Sequence, residues 1–211
     1  YCVAMRLADG MVFASDSRTN AGFDQISTFR KMHVFEQPGE RELVILSAGN
    51  LATSQSVISL LEKRAGSEVP NVFSTASMFE TAEIVGKTIR EVVHRDNPEG
   101  KVNHVDFSCS LILGGQIRGE EARLFNIYPE GNFIEATPET PYFQIGESKY
   151  GKPILVRAYD PDLGFEQAMR LLLVSFDSTV KANLSVAPPF DYHFYEAGSL
   201  PAQDLDAARA Q

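Results

Sequence analysis

Residues 1–19 read YCVAMRLADGMVFASDSRT, and the fold turns on how this stretch is parsed. Tyr1, Val3, Met5 and Leu7 alternate with Cys2, Ala4 and Arg6 at the two-residue period of a strand. Asp9-Gly10 is a strong hairpin signal, and Met11-Val12-Phe13-Ala14 continues as a second strand. The polypeptide therefore begins inside a β-sheet, although termini usually fray unless something ties them down.

Composition bounds what such a chain can be. Its 211 residues suffice for one large domain with a sizeable core. Hydrophobic residues make up 44% and charged ones 22%, which is ordinary globular usage. With 19 basic against 28 acidic side chains the net charge is −9, which argues against a nucleic-acid surface or an anionic membrane as partner. No run approaches the length of a membrane span, and no basic segment precedes an apolar one as in a signal peptide. Cys2 and Cys109 both fall on strands and read as buried thiols. Two cysteines make no disulfide scaffold, so a cytoplasmic location is expected.

Beyond the hairpin comes a polar stretch, RTNAGFDQISTFR, then strands at Lys31–Phe35 and Leu43–Leu46 separated by the turn QPGER. From Leu51 the period changes to that of a helix, with Leu51, Val57, Ile58 and Leu61 on one face. A longer helix carries Met78, Ala82, Val85, Ile89 and Val92, with Ser77 and Glu80 as a capping box. Val105, Phe107, Cys109, Leu111 and Leu113 alternate as a strand, and EARLFNIYP, GNFIEA and YFQIG supply three more. Helical spacing returns in a run from Ser148 through LVRAY and at Phe165, Met169, Leu172 and Phe176. VAPPFDYHFYEAG reads as a last, edge strand, since its proline pair excludes a central position. Grouped strands and grouped helices make this α+β, in one domain over 1–211. Two stacked sheets, each covered outside by a helix pair, would bury every apolar face. Residues 200–211 read as a tail that frays or contacts another subunit.

Several motifs fail on inspection. Gly146-Glu-Ser-Lys-Tyr-Gly-Lys152 sits between strand and helix like a P-loop, but Pro153 stands where the Mg²⁺-binding hydroxyl belongs. His94-Arg95-Asp96 looks like part of a kinase catalytic loop, yet Lys101 occupies the required asparagine position. The four histidines lack metal-site spacing, and there is no CxxC and no GxSxG. No metal or other cofactor is expected. What remains is a set of polar groups at strand ends: Asp16 after VFAS, Lys31 opening the third strand, and SAGN ending the fourth. Two such charges are most simply a surface ion pair. If the third and fourth strands lie alongside the hairpin, however, all of these features and the chain start meet at one end of one sheet.

At this point the sequence resembles a family. D-G-x-V-x-A-x-D-S-R, then R-K-M-H-V-F, then L-S-A-G-N resemble the β-type subunits of the proteasome, and the whole chain is most similar to the bacterial ancestral β-subunit (Anbu) branch. The resemblance implies the four-layer αββα sandwich of N-terminal nucleophile hydrolases. It further implies an N-terminal threonine whose side-chain oxygen attacks a peptide carbonyl, with its own amino group as base; free amino termini titrate at about 7.7–8.0. Asp16 matches the aspartate that holds the catalytic lysine, and Lys31 matches that lysine. Gly49 is the best match for the oxyanion-hole N–H, with Ser47 as runner-up. Thr19 and Asn20 fall where the family pairs substrate backbone.

The residue at the start is Tyr1, so the resemblance implies a threonine one place before it; Cys2 could serve only if Tyr1 were removed as well. Glu147 and Ser148 stand in Gly146-Glu147-Ser148 where catalytic subunits have G-S-G. Asn183-Leu184-Ser185 replaces a D-x-x-S stretch, keeping the Ser185 hydroxyl and leaving Asp177 as a substitute acid. The partners implied are further copies of the chain in a ring-like homo-oligomer of roughly six copies or more, and a peptide or unfolded-protein substrate. An ATPase unfoldase, cleavage preference and ring size are not legible here. A non-catalytic scaffold subunit and a small-molecule amidohydrolase of the same fold are the alternatives.

Overall fold

The computed structural model describes residues 1–20, 26–98 and 106–200. The opening hairpin pairs β1 (Cys2–Leu7) with β2 (Gly10–Asp16), register Cys2↔Ser15 to Leu7↔Gly10. Its two-residue loop is Ala8-Asp9, one place earlier than the Asp-Gly signal suggests, with Gly10 opposing Leu7. The polar stretch is not plain loop: β3 (Arg18–Asn20) and β4 (Ile26–Thr28) form a small two-stranded sheet of their own.

The chain then crosses to a second layer. β5 (Met32–Gln37) and β6 (Arg41–Gly49) begin a five-stranded antiparallel sheet completed by β7 (Cys109–Ile117), β8 (Arg123–Ile127) and β9 (Phe133–Glu135). Val105, the expected start of the β7 segment, lies outside the described residues. The first sheet takes β10 (Tyr142–Ile145) on one edge and β11 (Phe190–Glu196) on the other, in the order β10-β1-β2-β11. The expectation that the third and fourth strands extend the opening hairpin is thereby corrected. Both edges of that hairpin are taken by late strands, and β5 and β6 stack on it from the facing sheet.

Helices α1 (Leu51–Arg64) and α2 (Met78–Asp96) cover the five-stranded sheet, while α3 (Lys152–Ala158) and α4 (Phe165–Ala182) cover the other. The run expected to be helical from Ser148 becomes so only at Lys152. Ser77 caps α2 by accepting from the Glu80 N–H at 3.1 Å, and the Glu80 carboxylate accepts from Ala76, one residue before the cap. Among the described residues no helix is long and apolar enough to cross a membrane.

Strand alternation sorts the core into three layers. Leu43 and Ile45 of β6 face α1 and α2, whereas Val44 and Leu46 face the first sheet. Cys2 and Ala4 of β1 point between the sheets, and Tyr1, Val3 and Met5 point to α3 and α4. These three buried clusters are the interfaces of an αββα sandwich. β11 is an edge strand, as expected, although Pro188-Pro189 precede it and do not lie within it. Residues 201–211, most of the expected tail, lie outside the described residues.

Candidate active site

Antiparallel pairing puts the start of β1 against the end of β2, and the Asp16 N–H donates to the Tyr1 carbonyl at 3.1 Å. The Asp16 carboxylate has no solvent exposure, and so must be met by donors. Its Oδ1 accepts from the Tyr1 terminal nitrogen at 2.7 Å and from Lys31 Nζ at 2.6 Å. Its Oδ2 accepts from the backbone N–H groups of Arg18 at 3.0 Å and Ala187 at 3.3 Å. Asp16 and Lys31 are therefore not a surface pair. The carboxylate is a buried hub between the two sheets, and Lys31 keeps only 14% of its side chain exposed.

Lys31 lies just before β5, where the end of β6 comes alongside. The Ser47 N–H donates to the Lys31 carbonyl at 2.9 Å, and the Cys2 thiol points to the Ser47 carbonyl at 3.4 Å. Ser47 thus serves the backbone at this crossing. Gly49 closes β6 with φ of 110°, where a Cβ would collide with the Ser108 carbonyl, so glycine alone fits. A cleft of about 840 Å³ opens over this edge, and Tyr1, Thr19, Lys31, Ser47 and Gly49 all line it.

Other sequence candidates divide. Ser148, Asn183 and Ser185 border the cleft. The Ser185 hydroxyl donates to Asn183 Oδ1 at 2.6 Å, so the asparagine does locally what an acid would do. Glu147 also borders the cleft, but its carboxylate turns back onto its own loop and accepts from the Lys149 and Tyr150 N–H groups. Asp177 is not brought in: it pairs with Lys181 at 2.7 Å one turn on, with both side chains mostly in solvent. Helical phase explains this, since the buried face of α4 carries Ala168, Leu172, Ser175, Phe176 and Thr179. The Asn20 side chain lies outside the described residues. Cys2 is fully buried, and burial raises its thiol pKa, which suits packing rather than nucleophilic attack.

Sequence reading missed how the first residue is mounted. The Tyr1 side chain is 2% exposed, its ring packs 4.6 Å from that of Phe176, and its hydroxyl meets Ser175 Oγ at 2.6 Å. Ser175 in turn donates to the Gly151 carbonyl at 3.0 Å, and a Cβ at Gly151 would collide with the Tyr1 hydroxyl. One signal was available: a serine between Leu172 and Phe176, inside an otherwise apolar helix face, marks a buried polar partner. His33 and Glu62 also line the cleft without having been singled out. Among the described residues no three His, Cys, Asp or Glu side chains gather as metal ligands.

The arrangement is a buried carboxylate holding an ammonium and the chain start at the mouth of a cleft, with a glycine backbone opposite. Comparison with known proteins bears on it directly. A family model described as proteasome subunit matches residues 1–186. The proteasome subunit beta 2 proteins of Pyrobaculum aerophilum and Pyrobaculum neutrophilum are each 25% identical over 184 residues, covering 85% of this chain and 80% of theirs. Among solved structures, Anbu (ancestral beta-subunit) from Yersinia bercovieri is 58% identical, with a TM-score of 0.89 over 96% of this chain and 84% of that one. A helical assembly of the Anbu complex from Pseudomonas aeruginosa is 51% identical, with a TM-score of 0.90 over 100% of this chain and 91% of that one.

Proposed function

The chain belongs to the proteasome subunit family, and from that premise we propose that it is a threonine-type N-terminal nucleophile peptidase working within a self-compartmentalised homo-oligomer. The observation that carries this reading is the Asp16 hub, one buried carboxylate joining Lys31 to the start of β1.

In this reading a threonine precedes Tyr1. The Tyr1 nitrogen is then an amide N–H that still donates to Asp16. The threonine oxygen attacks the peptide carbonyl carbon while its own amino group takes the hydroxyl proton. Negative charge on the carbonyl oxygen is met by the Gly49 N–H and by the Lys31 ammonium, which Asp16 fixes in place. Collapse of the tetrahedral species expels the amine product, which takes the proton back. Water then attacks the ester, the amino group again relaying the proton, and releases the acid product. Thr19 and Asn20 hold the substrate backbone as an added strand, and Ser185 steadies the amino group.

Assembly of this chain into a ring-like array rests on the family and on the helical assembly described for the Pseudomonas relative. A net charge of −9 would keep such particles soluble in the cytoplasm. Glu147, whose carboxylate is occupied by its own loop, favours a second reading as a non-catalytic scaffold subunit.

The test is intact-mass and N-terminal analysis of native protein, followed by labelling with a peptide epoxyketone directed at terminal threonine. The expected result is a chain beginning Thr-Tyr that takes the label on its threonine. Native material beginning at Tyr1, or at a retained methionine, would overturn the peptidase. A confirmed threonine that neither takes label nor turns over peptide would make the chain a scaffold.

A further inference from the structure

Thr81, Thr88 and Thr179, all buried within helices, each donate their hydroxyl to the carbonyl four residues earlier in the same helix. That is the local way to satisfy a buried hydroxyl. Ser175, fully buried in α4, sends its hydroxyl out of the helix instead, to the Gly151 carbonyl at 3.0 Å. A hydroxyl carries one proton, so with that proton committed to Gly151 the Ser175 oxygen can only accept from Tyr1. The 2.6 Å contact therefore runs one way, from the Tyr1 phenol to Ser175 and on to Gly151. Burial raises the phenol pKa, which keeps the donated proton in place.

Gly151 ends the loop of residues 146–151 between β10 and α3, and Gly146, Glu147 and Ser148 of that loop border the cleft. The loop is seated on Tyr1 at both ends. A Cβ at Gly146 would lie 3.4 Å from the Tyr1 nitrogen, and one at Gly151 would collide with the Tyr1 hydroxyl. Between these ends the Glu147 carboxylate ties the loop to itself through the Lys149 and Tyr150 N–H groups. Tyr1 in turn is held in three directions: its nitrogen on the Asp16 carboxylate, its carbonyl on the Asp16 N–H and its hydroxyl on Ser175. The first two holds come from β2. The third comes from α4 and carries on to the loop.

We propose that Ser175 is a positioning residue, acting through the Tyr1 hydroxyl and the Gly151 carbonyl to hold Tyr1 and the 146–151 loop in fixed register at the cleft. The assignment rests on the peptidase reading, in which the reacting threonine is bonded to the Tyr1 nitrogen. Displacement of Tyr1 moves that threonine directly, and a shift of about 1 Å at a reacting group can cost about a hundredfold in rate. Ser175 itself is fully buried and does not line the cleft. Its loss should leave peptide binding alone and slow the covalent step.

Labelling by a peptide epoxyketone, resolved into an inhibitor constant and a maximal labelling rate, separates these two effects in the native protein. Ser175→Ala removes the acceptor. Tyr1→Phe removes the donor and leaves Ser175 on Gly151, so it serves as the second variant should Ser175→Ala fail to fold. Each is expected to lower the maximal rate about tenfold with the inhibitor constant within about twofold, and the double variant to fall no further than either alone. Hydrogen exchange should quicken at residues 1–5 and 146–155 in Ser175→Ala, with protection kept elsewhere. A wild type that labels, with both variants labelling at its rate, would overturn the positioning role and keep the peptidase. In a wild type that takes no label, the same confined exchange would keep the Ser175 tether and remove the peptidase; unchanged exchange would overturn the tether as well.

Discussion

Asp16 Oδ1 lies 2.6 Å from Lys31 Nζ and 2.7 Å from the Tyr1 terminal nitrogen, so a single buried oxygen ties the start of the first sheet to the start of the second. Lys31→Met separates charge from packing here. Methionine keeps most of the stem volume, and Asp16 keeps its three nitrogen donors from Tyr1, Arg18 and Ala187. Folding and assembly should survive, while peptide hydrolysis or covalent labelling should fall about a hundredfold, or roughly 3 kcal/mol of barrier. An equal rate at matched oligomeric state would remove Lys31 from the catalytic machinery.

Asp16→Asn should behave in the opposite way. It leaves the Lys31 ammonium without its buried counter-charge, and breaking such a pair from one side costs about 3–5 kcal/mol. Urea unfolding should show a large drop in midpoint. A drop below about 1 kcal/mol would mean that the hub is as dispensable as a surface pair.

The mounting of Tyr1 gives a graded pair of variants. Tyr1→Phe keeps the ring against Phe176 and removes only the hydroxyl contact to Ser175, which retains the Gly151 carbonyl as its own acceptor. The expected cost is about 1 kcal/mol. Tyr1→Ala empties the same pocket and should cost about 3–5 kcal/mol. Chemical denaturation that ranks the two equally would show that the ring contributes little.

Much of this was legible before the structure because two periods were clean. Alternation in 1–7 and 109–113, the short apolar runs at 11–14 and 43–46, and helical spacing in 78–92 and 165–176 are strong signals, since these elements are buried against neighbouring layers. Sheet membership was not legible. Alternation says that β5 and β6 are strands but not which edge they join, and the first sheet closes on β10 and β11 instead. The small β3–β4 ladder carries too little apolar pattern to register. Asp16 and Lys31 stood out as polar groups at strand ends and, with Gly49, were singled out by the resemblance to proteasome β-type subunits, whereas Glu62 and His33 reach the cleft only through the packing of α1 beside β5. Asp177 failed because a plausible acid in sequence lay on the wrong phase of its helix.

Gly49→Ala probes backbone geometry at the cleft edge. With φ of 110° and the Ser108 carbonyl against the missing Cβ, alanine must shift the end of β6. The strain should cost about 1–3 kcal/mol of stability, and the displaced N–H should cost labelling rate as well. Unchanged labelling in a folded Gly49→Ala variant would mean that the oxyanion is held elsewhere.

The two thiols and the Tyr1 phenol make a prediction about alkaline pH. Burial raises the Cys2 pKa and pushes Cys109 up to about 11 from the ordinary 9.0. Burial raises the Tyr1 phenol as well, outweighing the Ser175 hydrogen bond that lowers it. For each group the native chain holds its proton more tightly than the unfolded chain. Their contribution to stability is complete below the unfolded pKa. Above about pH 9 the unfolded state loses thiol protons first, so stability falls with rising pH until the native thiols titrate as well. For Cys109 alone the shift amounts to roughly 2–3 kcal/mol. Urea titrations between pH 7 and 10.5 should show this decline, with a shallower slope in Cys109→Ala. The same burial should keep both cysteines unreactive toward a thiol reagent at pH 8 until urea unfolds the chain. Rapid modification of Cys2 in the native protein would contradict its fully buried place between the sheets.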